Sequence, residues 1–185
     1  MVSQFVGINA TSAAIEIAIR PTGEMWKTHF ADESIEETAD KLKCLQPKLV
    51  VMEAAGAFEL PVAGVLAIYG LPFAIVNPRN VREFARAVGR GNRFDHTQAG
   101  LLAHFGELVD PEPRPLPKEI IENLEHLRTR RDNVRQMLLL ERRHLTTVTP
   151  CLGNDVQRHI DYLEQNIATL NQKFNRTVRS SAAWR

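Results

Sequence analysis

A chain of 185 residues, 44% of them apolar, can bury one good core and has room for one compact domain plus an extension. Its longest apolar stretches are strand-length or broken by charge, which excludes a bilayer span. Two lone cysteines, Cys44 and Cys151, without C-x-x-C spacing and with no signal-like start, point to a reducing cytoplasm.

From the amino terminus, Gln4–Ile8, Ala14–Ile19 and Met25–Phe30 are short runs carrying β-branched or aromatic residues, separated by polar residues and by Pro21-Thr22-Gly23. They predict a three-strand meander. Ser34, with Glu37 three residues on, reads as a capping box for a helix through about Cys44. Pro47 resets the chain for a strand over Leu49–Met52. A helix is expected over Gly56–Tyr69, a stop at Gly70-Leu71-Pro72, and a buried strand over Phe73–Val76. A meander followed by two helix-strand units makes a mixed sheet with helices on its faces, the element order of an α/β RNase H-like fold.

Asp110–Pro117 has prolines in alternate positions, which cannot continue a helix and predict a semi-rigid linker. Beyond it the period changes. Ile120, Leu124, Leu127, Arg131, Val134, Leu138, Glu141, Leu145 and Val148 step by four and three, and after Pro150–Gly153 the step recurs in Val156, Ile160, Leu163, Ile167, Leu170 and Phe174. Two heptad-patterned helices follow, able to close on each other or on a second protomer; a homodimer is the favoured reading. Arg131 and Glu141 interrupt the seam, as residues that specify register or partner do. The expected organisation is an α/β domain at 1–113, a linker at 114–117, a helical coiled-coil region at 118–178 and a basic tail at 179–185.

The formal net charge of +1 hides an asymmetry. Residues 1–60 hold five Lys/Arg against nine Asp/Glu, residues 118–185 hold twelve against eight, and residues 79–93 hold five Arg against Glu83 alone. Arg79, Arg82, Arg86, Arg90 and Arg93 recur at three- and four-residue steps, so a helix would line them along one side, where they could grip a polyanion.

Two carboxylates stand where strand and helix ends could bring them together: Glu53, closing the run Leu49–Met52, and Asp95, opening the helical run Asp95–Phe105. Around them are amides where a metal site would want acids, Asn9 after Gly7-Ile8 and Gln98 one turn beyond Asp95. His96 and His104 are eight apart with His29 remote, so structural or surface roles suit them better than a zinc cluster. Gly89-Arg90-Gly91-Asn92 lacks the context of a phosphate-binding loop and reads as a hinge.

The blocks Val51-Met52-Glu53-Ala54-Ala55-Gly56-Ala57-Phe58-Glu59-Leu60-Pro61, Val76-Asn77-Pro78-Arg79 through Phe84-Ala85-Arg86 to Arg90, and Asp95 with Ala99-Gly100-Leu101-Leu102-Ala103 strongly resemble the amino-terminal half of DEDD-type transposases of the IS one-ten family, the group of the Piv and MooV invertases. The likeness extends through Arg114–Pro117, Leu127–Arg131 and Glu141–Leu145.

The resemblance implies a RuvC-like domain that holds Mg²⁺ or Mn²⁺ through four acidic residues and acts in DNA transposition and recombination, then a coiled coil and a domain supplying a serine. It also implies DNA as partner, with a structured guide RNA. Carried over, the four acidic positions fall on Asn9, Glu53, Asp95 and Gln98. Two amides in place of carboxylates drop the formal ligand charge from −4 to −2, so metal binding is expected to be weakened. Nothing after Phe174 reads as another domain, and Ser180 and Ser181 match no serine motif of the family. The expectation is a fragment or a decayed copy, and the alternative to a recombinase is a nucleic-acid-binding and dimerisation remnant.

Overall fold

A computed structural model describes residues 3–54, 56–89 and 96–181. Five strands form one sheet in the order β3-β2-β1-β4-β5: β1 (Phe5–Ala10), β2 (Ala14–Arg20), β3 (Met25–His29), β4 (Leu49–Glu53) and β5 (Phe73–Val76). The meander β1-β2-β3 is antiparallel, whereas β4 and β5 run parallel to β1. That change of sense follows from the connections: tight turns link the first three strands, and helices α1 (Asp32–Leu45) and α2 (Glu59–Ile68) carry the chain back for β4 and β5. This is the expected RNase H-like arrangement of a mixed sheet with flanking helices.

Alternation along the strands divides the core. Val6, Ile8, Ile15, Ile17, Ile19, Val50 and Met52 pack with α1 and α2 on one face. Phe5, Leu49, Val51 and Val76 pack on the other with α3 (Pro78–Val88) and α4 (Gln98–Val109). The second face admits α4 very closely because β1 carries glycine there. A Cβ on Gly7 would lie 2.0 Å from the Ala99 carbonyl oxygen and 2.4 Å from the Ala103 nitrogen. No side chain fits, so Gly7 sets the distance between the sheet and the amino-terminal turn of α4.

The proline-rich run lies along the free edge of β5, where the Arg114 N–H donates to the Phe73 carbonyl at 3.1 Å. Leu116, inside that run, is buried in the core under α1 and α2. Helices α5 (Lys118–Leu145) and α6 (Pro150–Arg179) form an intrachain antiparallel hairpin over Val134, Leu138, Val156, Ile160, Leu163 and Leu170. Its base rests on the α2 face: Phe174 and Val178 join the main core, fitting against Gly64, where a Cβ would come within 2.3 Å of the Phe174 ring.

Several local expectations need correction. The first helix starts at Asp32, not behind a Ser34 cap; Ala31 is its N-cap, and the Ser34 carbonyl accepts from Thr38 Oγ1 at 2.7 Å. Asp32 and Glu33 in the first turn satisfy the positive end of the helix dipole instead. The second helix begins at Glu59 rather than Gly56, whose φ of 152° belongs to the loop before it. Pro150 opens α6 at its first turn, so the hairpin turn is residues 146–149 and not Pro150–Gly153.

Candidate functional site at the carboxyl edge of the sheet

Parallel pairing of β1 with β4 puts Ile8 opposite Met52, and the next residues are Asn9, last but one in β1, and Glu53, which ends β4. Both lie in the alternation phase that faces α4. Above them α4 begins at Gln98, three residues later than the run from Asp95 suggests, because Thr97 is its N-cap, its hydroxyl accepting from the Gly100 N–H at 3.0 Å. Gln98 Nε2 donates directly to Glu53 Oε2. Three of the four carried-over positions, Asn9, Glu53 and Gln98, are therefore brought to one edge; Asp95 lies outside the described residues.

The polarity of these contacts is informative. An ionised carboxylate only accepts, so the amide nitrogen of Gln98 is the end that faces Glu53. Asn9 does the same to a different acid: its Nδ2 donates to Glu16 Oε2 at 3.4 Å. Glu16 sits directly across the β1–β2 pair from Asn9, and Lys27 directly across the β2–β3 pair from Glu16. The Lys27 ammonium, 2.9 Å from Glu16 Oε1, holds the Glu16 carboxyl below the usual carboxylate range, and the Asn9 hydrogen bond adds to this against the opposing effect of burial. Glu16 was not singled out by the sequence reading; the signal was its place in the hairpin register opposite Asn9.

As a donor set for a divalent cation this edge is sparse. Glu53 contributes a carboxylate, and both amides spend their N–H groups on neighbouring acids while their carbonyl oxygens are the ends a hard cation would use. No group of three or more His, Cys, Asp or Glu side chains among the described residues is placed to hold a metal. Among the described residues the edge thus offers a hard cation a single carboxylate, Glu53, which by itself does not fit a pair of ions.

Arg79, Arg82 and Arg86 are on α3, as their spacing predicts, and all three are exposed. Asn77 caps this helix by accepting from the Arg79 N–H at 2.9 Å, with Pro78 in the first turn. Among the described residues none of the three guanidinium groups forms an ion pair. Arg82 and Arg86 share a cavity of about 240 Å³ with Val81, Ala85, Gln98 and Leu101, which joins the basic face of α3 to the side chain that holds Glu53. Gly89 ends α3 with φ at 67°, and Arg90 and Arg93 lie outside the described residues. His104 stacks edge-to-face on Phe84 with centroids 5.3 Å apart, and His96 is exposed.

Among the described residues no helix is long and apolar enough to cross a membrane. Residues 10–149 match a family model described as transposase, the DEDD type of the IS110 group. The match contains Glu53, Asp95, Gln98 and the α3 arginines, and begins one residue after Asn9. No curated protein matches the chain.

Proposed function

Because the chain belongs to the IS110 group of DEDD transposases, we propose that it binds DNA across the carboxyl edge of the sheet, with Glu53 as the anchoring acid and Arg79, Arg82 and Arg86 on the phosphates beside it. The cavity that Arg82 and Arg86 share with Gln98 carries this reading, since it sets two cations without an ion-pair partner among the described residues next to the side chain bonded to Glu53. Glu53 and Asp95, with the Asn9 carbonyl oxygen as a neutral donor, are the residues that would hold Mg²⁺ or Mn²⁺. Such an ion, when bound, supplies positive charge to phosphoryl oxygens and lowers the pKa of water. Gln98 orients the Glu53 carboxylate, and the α3 arginines place the backbone.

A second reading, a binding module without strand cleavage, is favoured by one observation. Both amides turn their donor ends to carboxylates and so neutralise by hydrogen bonding what an ion would neutralise by charge. In either reading residues 118–178 serve as an assembly arm. Met137, Leu139, Leu140, Leu152 and Tyr162 on the hairpin are large apolar side chains left exposed after the intrachain seam has closed, and a second copy of the hairpin is the proposed partner.

The test is affinity for duplex DNA and for a structured RNA across a salt series, with the native chain and with Arg82→Ala/Arg86→Ala. The double variant should lower the slope of log K against log salt by roughly two on the duplex, at about 0.9 per phosphate contact. An unchanged slope removes α3 from the interface. Tighter binding of the RNA than of the duplex, lost in the same variant, assigns the α3 face to an RNA guide.

A further inference from the structure

Three residues past Glu53 the chain enters a loop that the strand-to-helix connection does not explain by itself. The loop is held at Gly56 through both its N–H and its carbonyl. The Gly56 N–H donates to Glu59 Oε1 at 3.3 Å, and the Gly56 carbonyl accepts from Arg179 Nη2 at 3.3 Å, across 123 residues of chain. Glu59 is buried, so its carboxylate is committed to the loop. Arg179 gives one N–H to a neutral carbonyl, and its charge meets no described carboxylate.

Phe58, the N-cap residue of α2 where this loop ends, is 41% exposed, yet its ring is braced edge-to-face by Phe30 with centroids 5.5 Å apart and planes at 86°. Burial of Phe174 and Val178 against α2 leaves Arg176 between them, with Lys173 and Arg179 on either side, exposed on α6. Neither Lys173 nor Arg176 has an ion-pair partner among the described residues. Arg176 and Arg179 line a cavity of about 230 Å³ with Ala57, Leu60, Gln172 and Asn175. An exposed, braced aromatic ring thus follows directly on Gly56 and Ala57, which meet guanidinium groups that have no carboxylate partner among the described residues, on the sheet face opposite α3 and α4.

We propose that the Gly56–Phe58 loop and the last turns of α6 form a single-strand nucleic-acid subsite, in which one base stacks on Phe58 and the flanking phosphates meet Arg176 and Arg179. Stacking on one ring needs a base that has left its duplex, and a basic surface tracking the adjacent backbone supplies the remaining affinity without sequence preference. The subsite rests on the reading of Glu53 as the anchor of the DNA-binding edge. It extends that edge to its other flank, so that a strand held by α3 on one side of Glu53 is received by α6 on the other.

The experiment uses the full chain and a 12-nucleotide strand carrying 2-aminopurine, as DNA and as RNA of the same sequence. Anisotropy gives affinity and salt slope, and 2-aminopurine fluorescence reports stacking. Arg176→Ala/Arg179→Ala should weaken binding about tenfold and reduce the salt slope by about 1.4, two contacts at roughly 0.7 each on a single strand. Phe58→Leu, which keeps apolar bulk without a π-face, should weaken binding about fivefold or more, leave the slope unchanged and abolish the fluorescence quench. Arg176→Ala alone, at an exposed position without an ion-pair partner among the described residues, should give half the slope change without altering the melting temperature. Loss in both sugars assigns the site to any phosphodiester strand; loss in only one names its sugar. A native chain that gives no quench, or variants with native affinity and slope, would overturn the subsite. Arg82→Ala/Arg86→Ala in parallel keeps the outcomes apart: if only that pair weakens binding, the α3 reading stands and the α6 subsite falls.

Discussion

Acidic side chains are neutralised in two different ways in this molecule. At the junction of α1 and α5, Asp32 faces Arg131 at 3.1 Å and is hydrogen-bonded to Arg135, while Glu36 lies 2.6 Å from Arg128. Every one of those acids has a full positive charge against it. At the carboxyl edge, Glu53 is met by the Gln98 amide and Glu16 is shared between Asn9 and Lys27. The first region is saturated in charge, although the Glu36 carboxylate oxygens and the Nε atoms of Arg128 and Arg131 are buried without hydrogen-bond partners, and it serves to seat the helical hairpin on the α/β body. In the second, Glu53 has, among the described residues, only a dipole against it, so its neutralisation can still be taken over by a cation. Charge density alone does not separate structure from function here; the partner's chemistry does.

The largest effect should come from breaking the saturated side. Arg131 is 4% exposed, lies 5.6 Å from the Phe174 ring centroid and is within 3.4 Å of Asn171 Oδ1. Burial lowers its pKa, with neighbouring acids opposing that effect. Arg131→Ala leaves Asp32 with Arg135 alone and removes the cation from the face of Phe174. A loss of about 2–3 kcal/mol in urea unfolding is expected, below the full cost of breaking a buried pair because Arg135 remains. Arg131→Met, which keeps the packing, should cost less. Native stability in Arg131→Ala would mean that the junction does not seat the hairpin.

Converting the open side into a charged one should have an intermediate effect. Asn9→Asp with Gln98→Asp replaces two donors by acids beside Glu53 and Glu16, so the metal-free variant should melt lower, by about 1–2 kcal/mol of lost hydrogen bonding and added repulsion. Mn²⁺ should reverse that loss, whereas the native chain should show only a small calorimetric heat. Equal, negligible heats in the two proteins would show that the positions do not converge on a cation.

The sequence made the two regions unequally legible. Strand alternation and the helix-strand repeats made the sheet readable, and the three- and four-residue step of Arg79, Arg82 and Arg86 carried their common helix. Asn9, Glu53 and Gln98 stood out by their places at strand and helix ends, but their grouping as one set of acidic positions came through resemblance, since two amides and one Glu show no metal pattern on their own. What no local signal carried was tertiary. Arg131 reads as a flaw in a heptad seam, and only the packing of α5 on α1 reveals Asp32 as its partner. Leu116 hides in a proline run, and the capping box at Ser34 failed because Asp32, two residues earlier, is drawn into the helix start, with Arg131 and Arg135 facing it.

The smallest effect lies at the saturated junction and tests whether it is as closed as its ion pairs suggest. Tyr69 follows α2 in the loop toward β5, with the Arg128 guanidinium 5.7 Å from its ring centroid and the Glu36 carboxylate beside its hydroxyl. Burial first, and then Glu36, push its pKa up from 10 to about 12. The neutral phenol is thus the form the fold prefers. Stability associated with it is fully present below pH 10, where the phenol of the unfolded chain is also protonated, and is lost as pH rises toward 12. A difference titration of phenolate absorbance, native minus Tyr69→Phe, should therefore show one tyrosine ionising near pH 12, and Tyr69→Phe should blunt the fall in stability between pH 10 and 12. If the difference titrates near 10 instead, the α1–α5 junction admits water, and the contrast between a closed charged seam and an open polar edge fails at its closed end.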